Sequence, residues 1–342
     1  MNDMLKQRFI AGMGFEAARR LGASERHGHS FWVTATSDAP LSELEQALAS
    51  VCAVWHMRDL NDFFIEPSDV TLAQYVSVAL QSQLSHVGDG GHDREVSVEL
   101  RSAPNVGVRC EGAMVVRWLS SEFSAAHFLP NVPEGHQCGR LHGHGFKVKL
   151  FVDAHSCAPE RLARAWQQVH AQLHHSHLNH IKGLENPTSE HLTEWVWQRL
   201  KSVVPLHSVE VFETSTAGSR RDAKGFTIWK EVRFEAAQPF DGAGRYTGHS
   251  YLARLYLQGA ALDPKAGWLR DFADVKAVFK PIYNQLDHYA LDTIAGLTEY
   301  DCATLAAWMA TQLRDALPEL SRVDVFKNEC NGAAVFVVQG DV

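Results

Sequence analysis

With 342 residues, 45% of them hydrophobic, the chain is too long for one ordinary core and asks for two or three domains. A net charge of −8 with no basic run excludes a nucleic-acid surface, though a local positive pocket for one phosphorylated metabolite fits it. No apolar run reaches membrane-spanning length, the start from Met1 to Arg8 lacks a secretory core, and six cysteines lie scattered without a CxxC pair, so a cytoplasmic protein is expected.

In chain order the sequence repeats itself. Phe15-Glu-Ala-Ala-Arg19 leads to His27-Gly-His29, Phe123-Ser-Ala-Ala-His127 to His142-Gly-His144, and Phe234-Glu-Ala-Ala-Gln238 to Thr247-Gly-His249. The starting phenylalanines are 108 and 111 residues apart, too long for a solenoid and suited to a small domain present three times. Each copy ends on a β-alternating segment: Val96 to Leu100, Val209 to Glu213 and Val323 to Lys327. Helical rhythm fills the middle, over Arg161 to Leu173 and Thr188 to Val204 in copy 2. In copy 3 it runs over Asp274 to Tyr283, with Asp271 as N-cap, and over Thr304 to Leu317, stopped by Pro318. Each copy therefore reads as a strand pair, two helices and a second strand pair. Boundaries are expected in the polar or glycine-bearing stretches 105–112 and 217–225, giving domains 1–110, 111–222 and 223–342.

The densest chemistry lies in copy 2. In a strand, residues two apart share a face, so His142 and His144 can present both imidazoles to one ion, with His127 as third ligand from the preceding strand. Three neutral imidazoles leave one tetrahedral position open, as in catalytic zinc. Cys138 stands four residues before His142 as a candidate base or nucleophile. Farther on, His170, His174 and His177 share a helical face that could hold metal, although a solvated face is the plainer reading. Arg140, Lys147 and Lys149 could attract a triphosphate or be ordinary exposed cations.

Phe123-Ser-Ala-Ala-His127, Cys138-Gly-Arg-Leu-His142-Gly-His144, Asn186-Pro-Thr-Ser-Glu190 and Val209-Glu-Val-Phe-Glu213 resemble the 6-pyruvoyl tetrahydropterin synthase family. Copy 3 adds Gly267-Trp-Leu-Arg-Asp271-Phe272 and Leu286-Asp287-His288. The short Cys-x3-His-Gly-His spacing is similar to the 6-carboxytetrahydropterin synthase branch of the queuosine pathway. The resemblance implies an α+β chain of three tandem tunnelling-fold (ββααββ) units. They would form a pseudo-trimeric twelve-stranded antiparallel β-barrel with helices outside, closed so that no sheet edge is left bare. Two chains stacked face to face would make a homodimer.

It further implies a zinc-dependent carbon–carbon lyase that converts dihydroneopterin triphosphate to 6-carboxytetrahydropterin. Zinc would sit on His127, His142 and His144, with Cys138 as general base, Glu213 gripping the pterin, and an Asp-His pair arriving from the neighbouring unit. Copy 2 reads Leu178-Asn179-His180 where that pair is expected, while copy 3 retains Asp287 and His288, with Gln238, Thr247 and Ala243 in the ligand and thiol places. Copy 1 has Arg19, Ala23 and Asn61-Asp62 in the corresponding places. One working site between copies 2 and 3 follows, with His180 as a possible relic of a lost pair and Lys327 in the column of Glu213. The alternatives are a 6-pyruvoyl tetrahydropterin synthase, another pterin side-chain lyase, or a non-catalytic pterin-binding protein.

Overall fold

A computed structural model describes residues 5–85, 94–240 and 244–338. Its elements are β1 (Leu5–Arg19), β2 (His27–Ser37), α1 (Leu41–Trp55), β3 (Arg58–Asp59), α2 (Asp69–Ser85), β4 (Val96–Ala103) and β5 (Val106–Glu111). Then come β6 (Met114–His127), β7 (His142–Asp153), α3 (Pro159–Leu173), α4 (Ser189–Leu200), β8 (Leu206–Thr214) and β9 (Ala217–Asp222). The last are β10 (Gly225–Pro239), β11 (Tyr246–Gly259), α5 (Phe272–Leu286), β12 (Tyr289–Ala290), α6 (Cys302–Leu313), β13 (Leu320–Asn328) and β14 (Asn331–Val337). The order of two strands, two helices and two strands thus occurs three times, in a first (β1–β5), second (β6–β9) and third (β10–β14) unit. The stretches 105–112 and 217–225, expected as boundaries, are occupied by β5 and β9. Arg109, Glu111, Arg220 and Asp222 face the barrel lumen, while Ser219 and Arg221 pair with Thr193 and Glu194 of α4.

The twelve long strands pair antiparallel in the order β1-β2-β4-β5-β6-β7-β8-β9-β10-β11-β13-β14, and β14 returns to β1, so the barrel is closed. Closure satisfies every long strand on both sides and removes the edges that a four-stranded sheet would expose. Alternation sends one set of side chains outward beneath the helices. In β2 these are Phe31, Val33 and Ala35, all buried. Each unit has its own apolar core between its helix pair and its strands, built around Phe31 and Trp55, Phe146 and Trp166, and Tyr251 and Phe279. The other set faces a charged lumen of about 680 Å³, where Arg109 and Lys149 both meet Glu99, at 2.6 and 3.3 Å.

Register explains where a site can form. β6 and β7 pair out to His127↔His142, but β8 joins β7 only from Lys147↔Phe212. On the far side, β9 leaves β10 at Lys230↔Ala217. The β8–β9 turn therefore stops below the two overhanging hairpins and leaves a bay between the second and third units.

Candidate active site

His127, His142, His144 and Glu213 converge in that bay, each offering one ligand atom within 4.8 Å of the others. His127 ends β6 and is 1% exposed. Its Nδ1–H donates to the Pro187 carbonyl at 3.0 Å, and His142 Nδ1–H donates to the Arg140 carbonyl at 2.7 Å. These bonds fix the tautomer that leaves Nε2 as a lone pair facing the cluster, the arrangement metal-binding histidines adopt. Nε2 of His127 and of His144 are buried without a hydrogen-bond partner. The nearest acidic atom is Glu213 Oε1, at 3.6 and 3.4 Å. Burial first, then the neighbouring imidazoles, pulls His127 down to about 4 and lowers His144, so both are neutral at pH 7 and able to ligate. Two orphaned ring nitrogens aimed at one point fit a cation that three histidines hold. Glu213 lies beside the fourth position, and burial pushes its carboxyl up to about 7.

Cys138 lines the same bay from a 3-10 turn, Gln137–Gly139, that His136 caps by accepting the Cys138 N–H. Burial first, then Glu213 and Asp271, holds its thiol above the usual value. Sequence reasoning quoted Glu190 but gave it no role. It is 2% exposed, burial raises its carboxyl to about 7, and it lines the bay beside Glu213. As the second residue of α4 it reads in sequence as an ordinary first-turn acid, so nothing marks it out.

The opposite wall comes from the third unit. Asn131 and Asn186 donate to the carbonyls of Lys265 and Ala266, both at 2.8 Å, and the Thr188 hydroxyl donates to Gly267 at 2.7 Å. Glu190 Oε1 accepts the Leu269 N–H at 3.0 Å. Gly267 has φ +79°, and a Cβ there would lie 2.4 Å from the His191 ring. The Asn-Pro-Thr-Ser-Glu and Gly-Trp-Leu-Arg-Asp motifs, about 80 residues apart, are thus the two faces of one interface. The bay they enclose measures about 800 Å³. Asp271 caps α5 as expected, accepting the Ala273 N–H at 2.7 Å.

Asp287 and His288 form a pair, with His288 Nδ1 2.9 Å from Asp287 Oδ2, which also accepts from the Tyr283 hydroxyl. They lie on the β10 edge that faces the second unit, where Tyr289 and Ala290 pair with Ala236 and Ala237 beyond the end of β9. The His288 side chain is 77% exposed, in a shallow cleft with Glu235, His249 and Ser250, and neither residue lines the bay of Cys138. The structure joins the three histidines and Glu213 directly, brings Cys138 into the same bay, and sets the Asp-His pair on the same seam without contact.

The other units differ from the expected alignment. His288 has φ +65°, and its N–H donates to Glu235; the residues with the same geometry are His175 (φ +59°, to Ser124) and Met57 (φ +60°, to Glu16). The counterparts of Asp287-His288 are therefore His174-His175 and His56-Met57. Leu178-Asn179-His180 and Asn61-Asp62 belong instead to the later turn that is Leu291–Thr293 in the third unit. His180 is no relic of the pair. Nor do His170, His174 and His177 share a helical face, because α3 ends at Leu173 and His174 is its cap. Lys149 is committed to the lumen, and Lys147 lies over the Phe212 ring. In the third unit Gln238 accepts from Tyr251, and Thr247 pairs with His249 at 3.1 Å. Ala243 lies outside the described residues. Among the described residues no second group of metal-ligating side chains forms.

Residues 118–223 and 227–337 each match the 6-pyruvoyl tetrahydropterin synthase family. A 6-carboxy-5,6,7,8-tetrahydropterin synthase of Synechocystis sp. is 38% identical over 29% of this chain and 85% of its own. Among solved structures, the Caenorhabditis elegans 6-pyruvoyl tetrahydropterin synthase is 21% identical over 32% of this chain and 92% of its own, with a TM-score of 0.30. The Plasmodium falciparum enzyme is 16% identical over 33% and 96%, with a TM-score of 0.20. With two successive matches that together span more than half of its residues, the chain belongs to the 6-pyruvoyl tetrahydropterin synthase family.

Proposed function

We propose that this chain is a zinc-dependent pterin synthase converting dihydroneopterin triphosphate to 6-carboxytetrahydropterin, with one active site per chain between the second and third units. The observation that carries the reading is the pair of buried, unpartnered imidazole nitrogens turned toward one point beside Cys138, in a bay closed by the next unit. The name of the Synechocystis relative supports the product. Each unit is read as one copy of the family domain, over 1–110, 111–222 and 223–342.

His127, His142 and His144 would hold zinc, which supplies a Lewis acid that acidifies substrate side-chain hydroxyls and the carbon beside them. Cys138 takes the proton from that carbon. The Asp287 carboxylate orients His288, the imidazole on the same seam that would tune the thiol. Glu213 and Glu190 face the substrate as buried carboxylates able to accept the amino and ring N–H edge of a pterin. The free state of all six cysteines accords with a cytoplasmic enzyme, and two barrels stacked face to face would form the homodimer.

Incubating the purified full-length protein with dihydroneopterin triphosphate and identifying products by mass tests the reading. 6-Carboxytetrahydropterin is expected, absent in Cys138→Ala and His288→Ala. A pyruvoyl product would move the assignment to the sister activity, and pterin binding without turnover would leave a binding protein.

A further inference from the structure

Four lysine and arginine side chains line the bay, Arg140 from the second unit and Lys230, Arg270 and Lys276 from the third. Arg270 is held by both oxygens of Glu319, at 2.8 and 3.0 Å, and Asp271 is used at the cap of α5. Lys230 on β10 and Lys276 on α5 line the bay as neighbouring ammonium groups, and among the described residues neither has an ion pair. Lys230 Nζ donates to the Thr216 hydroxyl at 3.0 Å, and Glu231 and Glu213 act on it from beyond ion-pair distance. Two like charges at a pocket wall repel each other and are useful only when an anion sits between them.

The repeat supplies an internal control. Lys230 stands four residues before Phe234, and Glu231 N–H donates to Thr216 at 2.7 Å. The same backbone bond is made by Ser120 to Asn105 and by Gly12 to Cys330, so the positions of Lys230 in the other units are Leu119 and Ala11. Lys276 follows the first buried residue of α5, Val275. After Leu162 of α3 and Leu44 of α1 stand Ala163 and Glu45. Of the three seams, only the one that retains three histidines faces two lysines. The seam bordered by Arg19, His27 and His29 faces Leu119 and Ala163, and the seam bordered by Gln238 and Thr247 faces Ala11 and Glu45.

We infer that Lys230 and Lys276 are a polyphosphate-binding pair, contributed by the third unit to the site of the second, that takes the triphosphate of the substrate and holds it as it leaves. This rests on the substrate reading above only for the identity of the polyphosphate. A chain with net charge −8 repels a polyanion at long range, so two unpaired ammonium groups in one bay are what make its binding local. The three units of one chain fix the pair opposite the histidines without subunit exchange.

The test uses the full-length protein and inorganic tripolyphosphate as probe, measured by calorimetry, with Lys230→Gln, Lys276→Gln and, as control, Lys147→Gln. Each bay variant should weaken binding about tenfold or more, the scale of one charge-assisted hydrogen bond. The control should bind as wild type, and Lys230→Arg and Lys276→Arg should restore binding. With dihydroneopterin triphosphate the bay variants should raise KM more than they lower kcat. No tripolyphosphate binding by wild type, or equal affinity in wild type and bay variants, would overturn the inference. Lysine-dependent tripolyphosphate binding in a protein that does not turn over the pterin would sink the proposed reaction and leave the polyphosphate site standing.

Discussion

Arg19 Nη1 lies 2.6 Å from Asp69 Oδ1, buried in the first unit at the register position His127 holds in the second. The guanidinium also donates to the Pro67 carbonyl at 3.1 Å, where His127 donates to Pro187. A permanent cation thus stands where the second unit has room for a metal, and it opposes an ion on His27 and His29. Arg19→Ala should leave the Asp69 carboxylate with the Ser102 hydroxyl as its remaining partner and, with Asp69 partly exposed, cost about 2–3 kcal/mol by chemical denaturation, below the range for a fully buried pair. A loss below about 1 kcal/mol would show that the pair is not structural.

Glu190 gives a signed pH dependence. Its carboxyl rises to about 7 in the folded chain from about 4.3 when unfolded, so between those values the folded state holds the extra proton. Stability from this group is full below pH ~4.3 and is lost as pH rises through ~7, by roughly 3 kcal/mol. In metal-stripped protein, Glu190→Gln should flatten that part of the stability profile. An unchanged slope would contradict the burial.

Cys138 should behave as a resting thiol. Burial, Glu213 and Asp271 all oppose the thiolate, so its alkylation, located by peptide mass, should be slow at pH 7 and should accelerate with rising pH. Exposed Cys330 serves as the internal reference. Faster reaction at Cys138 than at Cys330 at pH 7 would contradict this electrostatic picture.

Gly267→Ala tests the joint between units. The positive φ and the 2.4 Å approach to His191 leave no place for a methyl group, so a loss of about 1–3 kcal/mol is expected, together with weaker substrate binding. Unchanged stability and KM would show that the loop moves freely.

The barrel was legible in the sequence because Phe15, Phe123 and Phe234 mark the same place in each first strand and the flanking periodicities switch between strand and helix. The metal cluster was legible because His142 and His144 share a strand face and His127 is their cross-strand partner. Asp287-His288 was misaligned with Asn179-His180 because Leu-x-His strings occur at both turns. The true match is set by α1, α3 and α5 each running 15 residues to a left-handed residue, a length that side-chain identity does not encode. The polar, glycine-bearing stretches 105–112 and 217–225 hold β5 and β9, the last strands of their units, whose charged residues Arg109, Glu111, Arg220 and Asp222 face the lumen. Lys230 and Lys276 were hidden for a different reason: each reaches the bay from the third unit, a relationship between units that local pattern does not carry.

Metal content per chain tests the central claim most directly. Elemental analysis of the protein loaded with zinc and freed of excess should give about one zinc per chain, falling to near zero in His142→Ala, since one set of three imidazoles is complete. Two or three zinc ions per chain, or a content unchanged by His142→Ala, would contradict a single site on the second unit.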